Sequence, residues 1–309
     1  MVSNQIVVIG SCMVDFVSYA PRLPKTGETI HGRKFVTNFG GKGANQCVAA
    51  AKLGGETALI ARVGDDVWAK KYIDSLCKDG VKVDYVKETE SFSTGIAQII
   101  VSDTGENQIV IVAGANNELS VEDVECVKDV ITNAAVVVLQ LETSEDVAIK
   151  ACQLCRGISI LNGAPALSKF DLQLLQLPTI FCVNESEATV FTGLPVNNVC
   201  EAEAAATKLL FLGCKSVIIT LGPLGAIYVN NEDKQFIHIG SPLVKSVDST
   251  GAGDAFIGAL AYLLANEKEH GIQKSIQLAC IVAADTVTRP GTQTSFPGPE
   301  ILKCRKQDN

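Results

Sequence analysis

A glycine-rich segment near the C-terminus, Asp248–Phe256 (DSTGAGDAF), carries the strongest chemical signal in the sequence. The glycines let the backbone bend, and a long helix of small residues is predicted to begin at Ala252. Free N–H groups at a helix N-terminus stabilise a phosphate, here through Gly251, Ala252 and Gly253. Asp254 would lie in the first helical turn, where a carboxylate can accept the proton of an alcohol. The alternative is that the two aspartates of this segment only cap the helix.

Other glycine-rich chemistries lack their main signal. Lys42 lies in GGKGAN and is followed by Gly43, so the chain contains no G-x-x-x-x-G-K-[ST] sequence. No G-x-G-x-x-G opens a helix after a strand, and neither H-R-D nor D-F-G occurs. These absences argue against a Walker-type NTPase, a dinucleotide dehydrogenase and a protein kinase.

Histidine and cysteine spacing gives little support for a zinc or disulfide site. His31, His238 and His270 do not lie at ligand spacing from one another or from a cysteine pair. Cys152 and Cys155 form one C-x-x-C, but on a helical pattern without a second pair, which favours helix packing. The 11 scattered cysteines are typical of reduced thiols, so we expect a cytoplasmic protein, with the nucleus also open.

Composition and charge exclude several classes of protein. Hydrophobic residues make up 47% of the 309-residue chain, enough for a sizeable core and too many for a disordered chain. The net charge of −8 argues against nucleic-acid binding, which needs a basic surface. The apolar runs are too short to span a membrane. An anionic ligand would therefore have to be met by a local site.

Short β-branched runs alternate with helical patterns along most of the chain. Runs such as VVVLQL and SVIITL are apolar on both faces, as a central parallel strand covered by helices must be. The alternation predicts an α/β fold with a doubly wound, mostly parallel sheet flanked by helices. The predicted strands are 5–10, 57–62, 135–141, 158–161, 179–183, 216–221 and 226–229. The predicted helices are 44–53, 66–78, 121–132, 145–155, 201–212, 252–266 and 272–288.

Two stretches, 16–36 and 94–112, interrupt this alternation with extended patterns, proline and glycine. The second, TGIAQIIVSDTGENQIVIV, predicts two strands joined by a turn around Asp103–Thr104–Gly105. Both stretches leave the α/β core and return to it. We interpret them as one small β-sheet lid, built from insertions at about 14–37 and 94–114. Because no long linker or internal repeat divides the chain, we expect a single domain over residues 1–309.

Several motifs occur in the order found in one family of kinases. Gly40–Gln46 (GGKGANQ) and Asp248–Phe256 resemble the two signature regions of the ribokinase-type carbohydrate kinase family, also called the phosphofructokinase-B family. Asn184–Glu187 (NESE) and Thr220–Gly225 (TLGPLG) are similar to its nucleotide-side motifs. Residues 10–15, 22–29, 139–142 and 287–295 extend the likeness, especially to the ribokinase branch. The resemblance implies a ribokinase-like α/β kinase domain with a small β-sheet lid.

The resemblance implies a sugar site at strand ends and at the loop before the first long helix. Its residues would be Met13, Asp15, Gly41, Lys42, Gly43, Asn45, Glu142 and Asp254. Carboxylates and amides there suit the hydroxyls of a pentose, although Asp15 could also be a strand-end turn residue. Met13 departs from the family pattern, since ribokinases often have Asn there. Methionine cannot donate a hydrogen bond, so that sugar contact must be lost or shifted.

The resemblance also implies a nucleotide side, whose Asn184 and Glu187 follow a predicted strand. Its residues would be Asn184, Thr220, Gly222, Gly225, Gly253 and Cys280, contacting ATP. Glu187 would organise Mg²⁺ through bound water, although the spacing from Asn184 to Glu187 also fits a helix capping box. Cys280 stands where relatives often have His or Asn beside the adenine, which leaves the preference for a nucleobase open.

A monovalent-cation site beside the anion-binding loop is also implied by the resemblance. K⁺ would be held, mostly through backbone carbonyls, by Asp248, Thr250, Thr286, Arg289, Gly291 and Ser295. Its physical role would be to fix the loop so that the N–H groups point at the phosphoryl group. Arg289 would contribute its carbonyl and not its side chain.

The activity that the resemblance implies is ATP-dependent phosphorylation of D-ribose at the 5-hydroxyl. Asp254 would be the general base and the N–H groups of Gly251–Gly253 the anion hole. A sister kinase for fructose or adenosine would share this machinery, and a catalytically inactive sugar-binding protein is a more distant alternative. Relatives are often dimers and a lid edge suits strand pairing, so we expect a homodimer through the lid.

Overall fold

The strands of the protein form two separate sheets, a large one at the core and a small one beside it. The computed structural model describes residues 4–303. The strands are β1 (Ile6–Ile9), β2 (Met13–Ala20), β3 (Lys34–Gly40), β4 (Thr57–Gly64), β5 (Lys82–Thr89), β6 (Gly95–Ser102), β7 (Asn107–Val112), β8 (Val136–Leu139), β9 (Ile158–Asn162), β10 (Ile180–Asn184), β11 (Ser216–Thr220), β12 (Ala226–Asn230) and β13 (Ile237–Ile239).

Helices cover both faces of the large sheet. They are α1 (Lys42–Lys52), α2 (Val67–Lys78), α3 (Val121–Cys126), α4 (Lys128–Asn133), α5 (Glu145–Leu154), α6 (Gln173–Gln176), α7 (Glu185–Thr192), α8 (Val199–Phe211), α9 (Ala252–Asn266), α10 (Gly271–Thr286) and α11 (Glu300–Lys303). One hydrophobic layer joins the sheet to α1, α2, α9 and α10. A second layer on the opposite face joins it to α3, α5, α7 and α8. This is the doubly wound arrangement that the sequence predicts.

The nine-stranded sheet has the order β13-β12-β11-β10-β9-β8-β1-β4-β5. Seven of its strands pair in parallel with their neighbours: β1, β4, β5, β8, β9, β10 and β11. The last two, β12 and β13, pair antiparallel. The central strands β1 and β8 are buried at every position. Because crossovers leave the carboxyl ends of parallel strands at one edge, polar residues that follow these strands meet there.

The small sheet has the order β3-β2-β6-β7 and comes from the two predicted insertions. β2 pairs parallel with β6, and each of these strands also has an antiparallel neighbour. β7 is exposed at every residue and forms one edge. The sheet begins earlier than the predicted insertion, at Met13, so two of the residues expected to bind sugar lie on a lid strand.

Helices α1 and α9 approach each other closely enough to place two signature motifs side by side. Gly258 permits this contact, because a Cβ there would lie 2.6 Å from the Cβ of Ala49 and 2.6 Å from the carbonyl oxygen of Gln46. Such distances are below ordinary van der Waals contact, so a larger residue would push the helices apart. The start of α9 is thereby held against Asn45 and Gln46.

Seven predicted core strands are confirmed, within a few residues at their ends. The prediction missed β5 and β13, and it was wrong to continue one helix over residues 121–132. That stretch divides into α3 and α4 at Val127, whose φ of −114° and ψ of 20° leave the helical region. In the described part of the chain, six of the ten cysteines are buried and all ten are free thiols. Over residues 4–303 we find no helix with the length and hydropathy to cross a membrane.

Candidate active site

The N-terminus of α9 lies in an open part of the structure, as the glycine-rich segment predicts. Gly251 is its N-cap, with a left-handed φ of 80°, and no side chain caps the helix. A Cβ on Gly253 would meet no atom within 4 Å. Among the N–H groups proposed for the anion hole, that of Ala252 makes a long 3.3 Å hydrogen bond to the carbonyl of Ser249. The helix start therefore offers space and donors to an anion.

Asp254, in the first turn of α9, is buried and held by two amides from α1. Asn45 Nδ2 donates to Asp254 Oδ2 at 2.9 Å, and Gln46 Nε2 donates to Asp254 Oδ1 at 2.9 Å. Each carboxylate oxygen therefore has one fixed donor and keeps a further lone pair. This geometry goes beyond a helix cap, since the carboxylate is oriented by residues more than 200 positions away in the sequence.

Lys42, at the first position of α1, lies among the acidic residues of the site. Burial lowers the pKa of its ammonium group, but the carboxylates of Asp254, Glu142 and Glu187 outweigh this and raise it. Its backbone N–H donates to Glu142 Oε2 at 2.9 Å, and Ser11 Oγ donates to the same oxygen. Lys42 therefore stays charged, and it lies between Glu142 at the predicted sugar end and Glu187 at the predicted nucleotide end.

Asp15 on β2 and Glu142 after β8 form the acidic end of the predicted sugar site. Burial, and to a smaller degree the charge of Glu142, raises the pKa of Asp15 from 3.8 to about 7. The two glycines before Lys42 leave room for this end. A Cβ on Gly40 would lie 2.5 Å from Asp15 Oδ2, and one on Gly41, which has a φ of +90°, would lie 2.8 Å from the N of Met13. Gly41 therefore requires glycine, whereas a side chain at Gly40 would displace the carboxylate of Asp15.

Gly43 serves packing in addition to the loop. A Cβ there would lie 2.5 Å from the N of Ser11 and 2.6 Å from the carbonyl carbon of Gly10, so α1 starts directly against the end of β1. This contact fixes the distance between the loop that carries Lys42 and the strand end next to it.

Sequence reasoning missed Asn116, which orients the first residues of the lid strand β2. Its Oδ1 accepts from the N–H of Cys12 at 2.8 Å, and its Nδ2 donates to the carbonyl of Cys12 at 2.9 Å. The same Nδ2 lies 3.6 Å from the sulfur of Met13, which is buried. The only trace of Asn116 in the sequence is a polar segment, GANNE, after strand β7. Its partner Cys12 lies 104 positions away, so the contact could not be predicted.

A cavity of about 320 Å³ lies on the other side of the α9 N-terminus, where the nucleotide side was predicted. Its walls include Asn184, Thr220, Gly222, Gly225, Gly253 and Cys280. Sequence reasoning did not predict the wall formed by Pro242, Leu243 and Val244, a loop without a motif. A smaller cavity of about 170 Å³ reaches Lys42, Glu187 and Asp254. Because Asn184, Thr220 and Gly253 line both, the two cavities adjoin at the start of the helix.

Thr220, Gly222 and Gly225 form the predicted strand–turn–strand between β11 and β12. Gly222 has a φ of +50° and Gly225 one of +95°. A Cβ on Gly225 would lie 2.0 Å from the carbonyl oxygen of Ile239 in β13. Gly225 is therefore required by strand packing, while its backbone still lines the larger cavity. Cys280, from α10, is buried in the same wall.

Asn184 and Glu187 form the capping box of α7 and also line the smaller cavity. Asn184 Oδ1 accepts from the N–H of Glu187 at 2.9 Å, and Glu187 Oε2 accepts from the N–H of Asn184 at 2.9 Å. Burial raises the pKa of Glu187, against the lowering effects of that hydrogen bond and of Lys42. The N-x-x-E segment therefore forms a helix capping box, and the same Glu187 also borders the smaller cavity, where a metal site was predicted.

The loop before α9 is tied to the segment after α10. Asp248 Oδ1 accepts from the N–H of Thr250 at 2.9 Å, and Asp248 Oδ2 accepts from the N–H of Gly291 at 3.0 Å. Burial raises the pKa of Asp248, but these hydrogen bonds lower it by more. The loop thus has a fixed attachment at Gly291.

Thr286, Arg289 and Ser295 lie together on the segment to which that loop is attached. The backbone N–H of Arg289 donates to the carbonyl of Thr286 at 3.3 Å, and Arg289 Nη2 donates to the carbonyl of Ser295 at 2.8 Å. The guanidinium also pairs with Asp285. The structure thus brings the predicted cation ligands into one neighbourhood, with a guanidinium on one of the carbonyls.

Comparison with known proteins agrees with this geometry. Residues 3–299 match the pfkB family carbohydrate kinase family. The chain is 44% identical to a ribokinase of Mus musculus over 295 residues, 94% of this chain and 91% of that protein. It is 37% identical to a deoxyribokinase of Salmonella typhi, covering 96% of each chain. An Arabidopsis thaliana ribokinase, solved with ribose and ATP, superposes with a TM-score of 0.89 at 30% identity and 98% coverage of both chains. The protein therefore belongs to the pfkB family of carbohydrate kinases.

Proposed function

We propose that the chain transfers the γ-phosphoryl group of ATP to the 5-hydroxyl of D-ribose. The observation that carries this proposal is the placement of Asp254. It is a buried carboxylate fixed by two amides, one turn inside a helix whose open N-terminus borders the larger cavity. A base for an alcohol and donors for a phosphoryl group lie within one helical turn. Ribokinases among the relatives of this family member support ribose as the acceptor.

In this mechanism Asp254 accepts the proton of the sugar hydroxyl through an oxygen lone pair that the amides leave free. The N–H groups of Gly251, Ala252 and Gly253 stabilise the charge that develops on the phosphoryl group. The N–H of Ala252 first exchanges its long bond to Ser249 for the phosphate. Lys42, kept charged by the surrounding carboxylates, faces the same space and adds positive charge. The lid would exclude water that otherwise hydrolyses ATP.

Glu187 would hold Mg²⁺ through water, and the metal would supply charge neutralisation of the phosphates. The chemistry of the position fits, because a carboxylate borders the smaller cavity beside Lys42. The set of Asp248, Thr250, Thr286, Arg289, Gly291 and Ser295 would hold K⁺. Its oxygen-rich character fits a monovalent cation, since a carbonyl such as that of Ser295 retains a lone pair after accepting from Arg289. Replacing K⁺ by Na⁺ in the assay tests that site, and equal rates would argue against it.

A second candidate substrate is 2-deoxyribose, and Met13 is the observation that favours it. The thioether of Met13 is buried at the sugar end and is fixed beside Asn116, so it presents no hydrogen-bond donor to a sugar hydroxyl. A deoxyribokinase is also among the relatives. A site that lacks a donor for one hydroxyl discriminates weakly against the sugar without it.

The experiment is an initial-rate measurement of ADP release with ribose, 2-deoxyribose, fructose and adenosine as acceptors. Ribose is expected to give the highest kcat/KM, with 2-deoxyribose next. The Met13→Asn variant should widen the ratio of ribose to 2-deoxyribose, because an amide can bond the additional hydroxyl. Fructose or adenosine as the best acceptor would overturn ribose as the substrate, and no acceptor-dependent ADP release would support a binding protein without activity.

The lid also supports the proposal of a homodimer, with the whole chain acting as one kinase domain. Strand β7 is an edge strand with four exposed apolar residues, Ile109–Val112, between 49% and 65% exposed. An exposed apolar edge offers unpaired backbone groups to a second copy. Light scattering of the protein and of a Val110→Lys variant tests this. The unsubstituted protein should have the mass of a dimer, and the variant should have the mass of a monomer.

A further inference from the structure

Two buried side-chain amides form a chain that ends on Asp254, and a third amide accepts a branch from it. Gln140, just after β8, donates through Nε2 to Gln46 Oε1 at 2.7 Å. Gln46 in turn donates through Nε2 to Asp254 Oδ1 at 2.9 Å and to Asn162 Oδ1 at 3.1 Å. Gln46 and Gln140 are at most 1% exposed. Among the described residues that line the two cavities, neither glutamine occurs.

The chain has a fixed direction, because reversing any amide would bring acceptors together. If Gln140 presented its oxygen, Gln46 would have to turn and offer its own oxygen to both Asp254 and Asn162. Instead Gln140 keeps Oε1 buried without a partner in the described structure, against Gly10, where a Cβ would lie 1.9 Å from that oxygen. A buried acceptor without a partner is unfavourable. The direction of the Gln140 amide is therefore determined by its bond to Gln46 Oε1 and not by a partner of its own oxygen.

The other oxygen of Asp254 is served by a second, similar arm. Asn45 Nδ2 donates to Asp254 Oδ2, and the Oδ1 of Asn45 accepts from Gln293 Nε2 at 3.0 Å. Gln293 Nε2 also contacts the hydroxyl of Tyr72 at 3.3 Å. Each carboxylate oxygen thus has an amide donor whose own direction is set by a buried glutamine. Such fixed networks hold a catalytic group in its productive geometry.

We propose that Gln46 and Gln140 are positioning residues for phosphoryl transfer. Gln140 sets the direction of the Gln46 amide, and Gln46 keeps the carboxylate of Asp254 turned so that a free lone pair faces the acceptor hydroxyl. The proposal rests on the role of Asp254 given under the proposed function. It requires that loss of Gln140 lowers kcat and leaves the KM for the sugar nearly unchanged, since both glutamines are at most 1% exposed and therefore do not contact a bound sugar.

The test is the pair of variants Gln140→Glu and Gln140→Met, with Gln273→Glu on the exposed face of α10 as the matched control. A protonated glutamic acid at position 140 can still donate to Gln46, whereas the ionised form only accepts and reverses the Gln46 amide. Burial raises the pH at which such a carboxyl group ionises. The charged groups that interact with one another around Asp254 are Lys42 from α1, Glu142 after β8 and Glu187 from α7.

Gln140→Glu is expected to lose kcat as the pH rises from 6 to 9, to about 100-fold below the unsubstituted enzyme, because a misplaced catalytic group has an effect of that order. Gln140→Met is expected to lower kcat about tenfold at every pH, since Gln46 loses its donor without being reversed. Thermal unfolding of each variant separates these effects from loss of fold. The control should keep both kcat and its pH profile.

Unchanged kcat and pH profile in both variants would overturn the proposal, as would a rise of KM with kcat unchanged, which would make Gln140 a binding residue. If Gln140→Glu does not fold, Gln140→Met and Gln46→Met decide the question by the same division between kcat and KM. Each variant is compared with the unsubstituted kinase on whichever sugar that kinase phosphorylates. Failure of ribose as the substrate would therefore leave this comparison intact.

Discussion

Substitution of Asp15 by Asn should stabilise the sugar-free protein at alkaline pH while weakening sugar binding. The pKa of Asp15 is raised from 3.8 to about 7, first by burial and then by Glu142. A carboxyl group whose pKa is higher in the folded state binds its proton more tightly there. Its contribution to stability is therefore complete below about pH 4 and is lost as the pH rises through about 7.

The magnitude follows from that shift. A rise of about three pKa units corresponds to about 4 kcal/mol at 1.36 kcal/mol per unit, which is an upper limit. Since Asp15 is only partly buried, we halve this to about 2 kcal/mol. The entropy of unfolding scales with chain length, so a change of that size in a protein of this size moves Tm by about 3 °C.

The assay is thermal unfolding of the sugar-free protein at pH 5.5 and pH 8.5, for the unsubstituted chain, Asp15→Asn and the exposed control Asp74→Asn. We expect Asp15→Asn to raise Tm by about 3 °C at pH 8.5 and by about half as much at pH 5.5, since about half of the interval between the unfolded pKa of 3.8 and the folded pKa of about 7 has then been passed. It should also raise the KM for the sugar about tenfold, because a charged acceptor is lost. Equal Tm shifts at the two pH values, or the same shift in Asp74→Asn, would refute the reasoning.

Two further predictions concern the start of α9 and the ion pair between Arg62 and Asp123. Gly253→Ala should keep the free energy of unfolding and lower kcat about 100-fold or more, since the methyl group enters open space where the phosphoryl group would bind. In the control Gly258→Ala, the free energy of unfolding should fall. Full activity of Gly253→Ala would contradict the proposed phosphoryl site. Asp123→Asn should destabilise the fold by about 2 kcal/mol in urea titrations at pH 7, because Arg62, 2.7 Å from Asp123, loses its buried partner. Arg62 and Lys87 lower the pKa of Asp123 to about 2, against the effect of burial, so this contribution is present above about pH 4 and disappears towards pH 2; a loss that stays constant down to pH 2 would refute it.

The parts of the fold predicted from the sequence are those with strong local signals. Central strands such as β8 are apolar on both faces, and the glycine-rich segment predicts the start of α9, whose N-cap Gly251 has a left-handed φ of 80°. Edge strands lack the first signal: β5 (KVDYVKET) alternates exposed and half-buried residues, and β13 has only three residues. The break between α3 and α4 depends on the backbone angles of Val127, and no residue type in this segment predicts them.

The candidate site divides in the same way. Asp254, Glu187 and the glycines lie in short motifs, so their chemistry is visible within a few residues. Asn116 and Gln140 are invisible at that range, because Asn116 contacts Cys12 from 104 positions away and Gln140 contacts Gln46 from 94 positions away. Their function depends on burial and on the direction of an amide. Neither property can be obtained without the three-dimensional arrangement of β2, β8 and α1.

The most direct measurement of the central claim is sugar-dependent ADP release by the unsubstituted chain and by Asp254→Asn, together with sugar binding by calorimetry. The unsubstituted chain should release ADP only when ribose or a close pentose is present. Asp254→Asn should bind the sugar with nearly unchanged affinity and lose about 1000-fold or more in kcat, since it removes the base and also turns an amide nitrogen towards one of the two donors, Asn45 or Gln46. Near-normal turnover by Asp254→Asn would contradict the account.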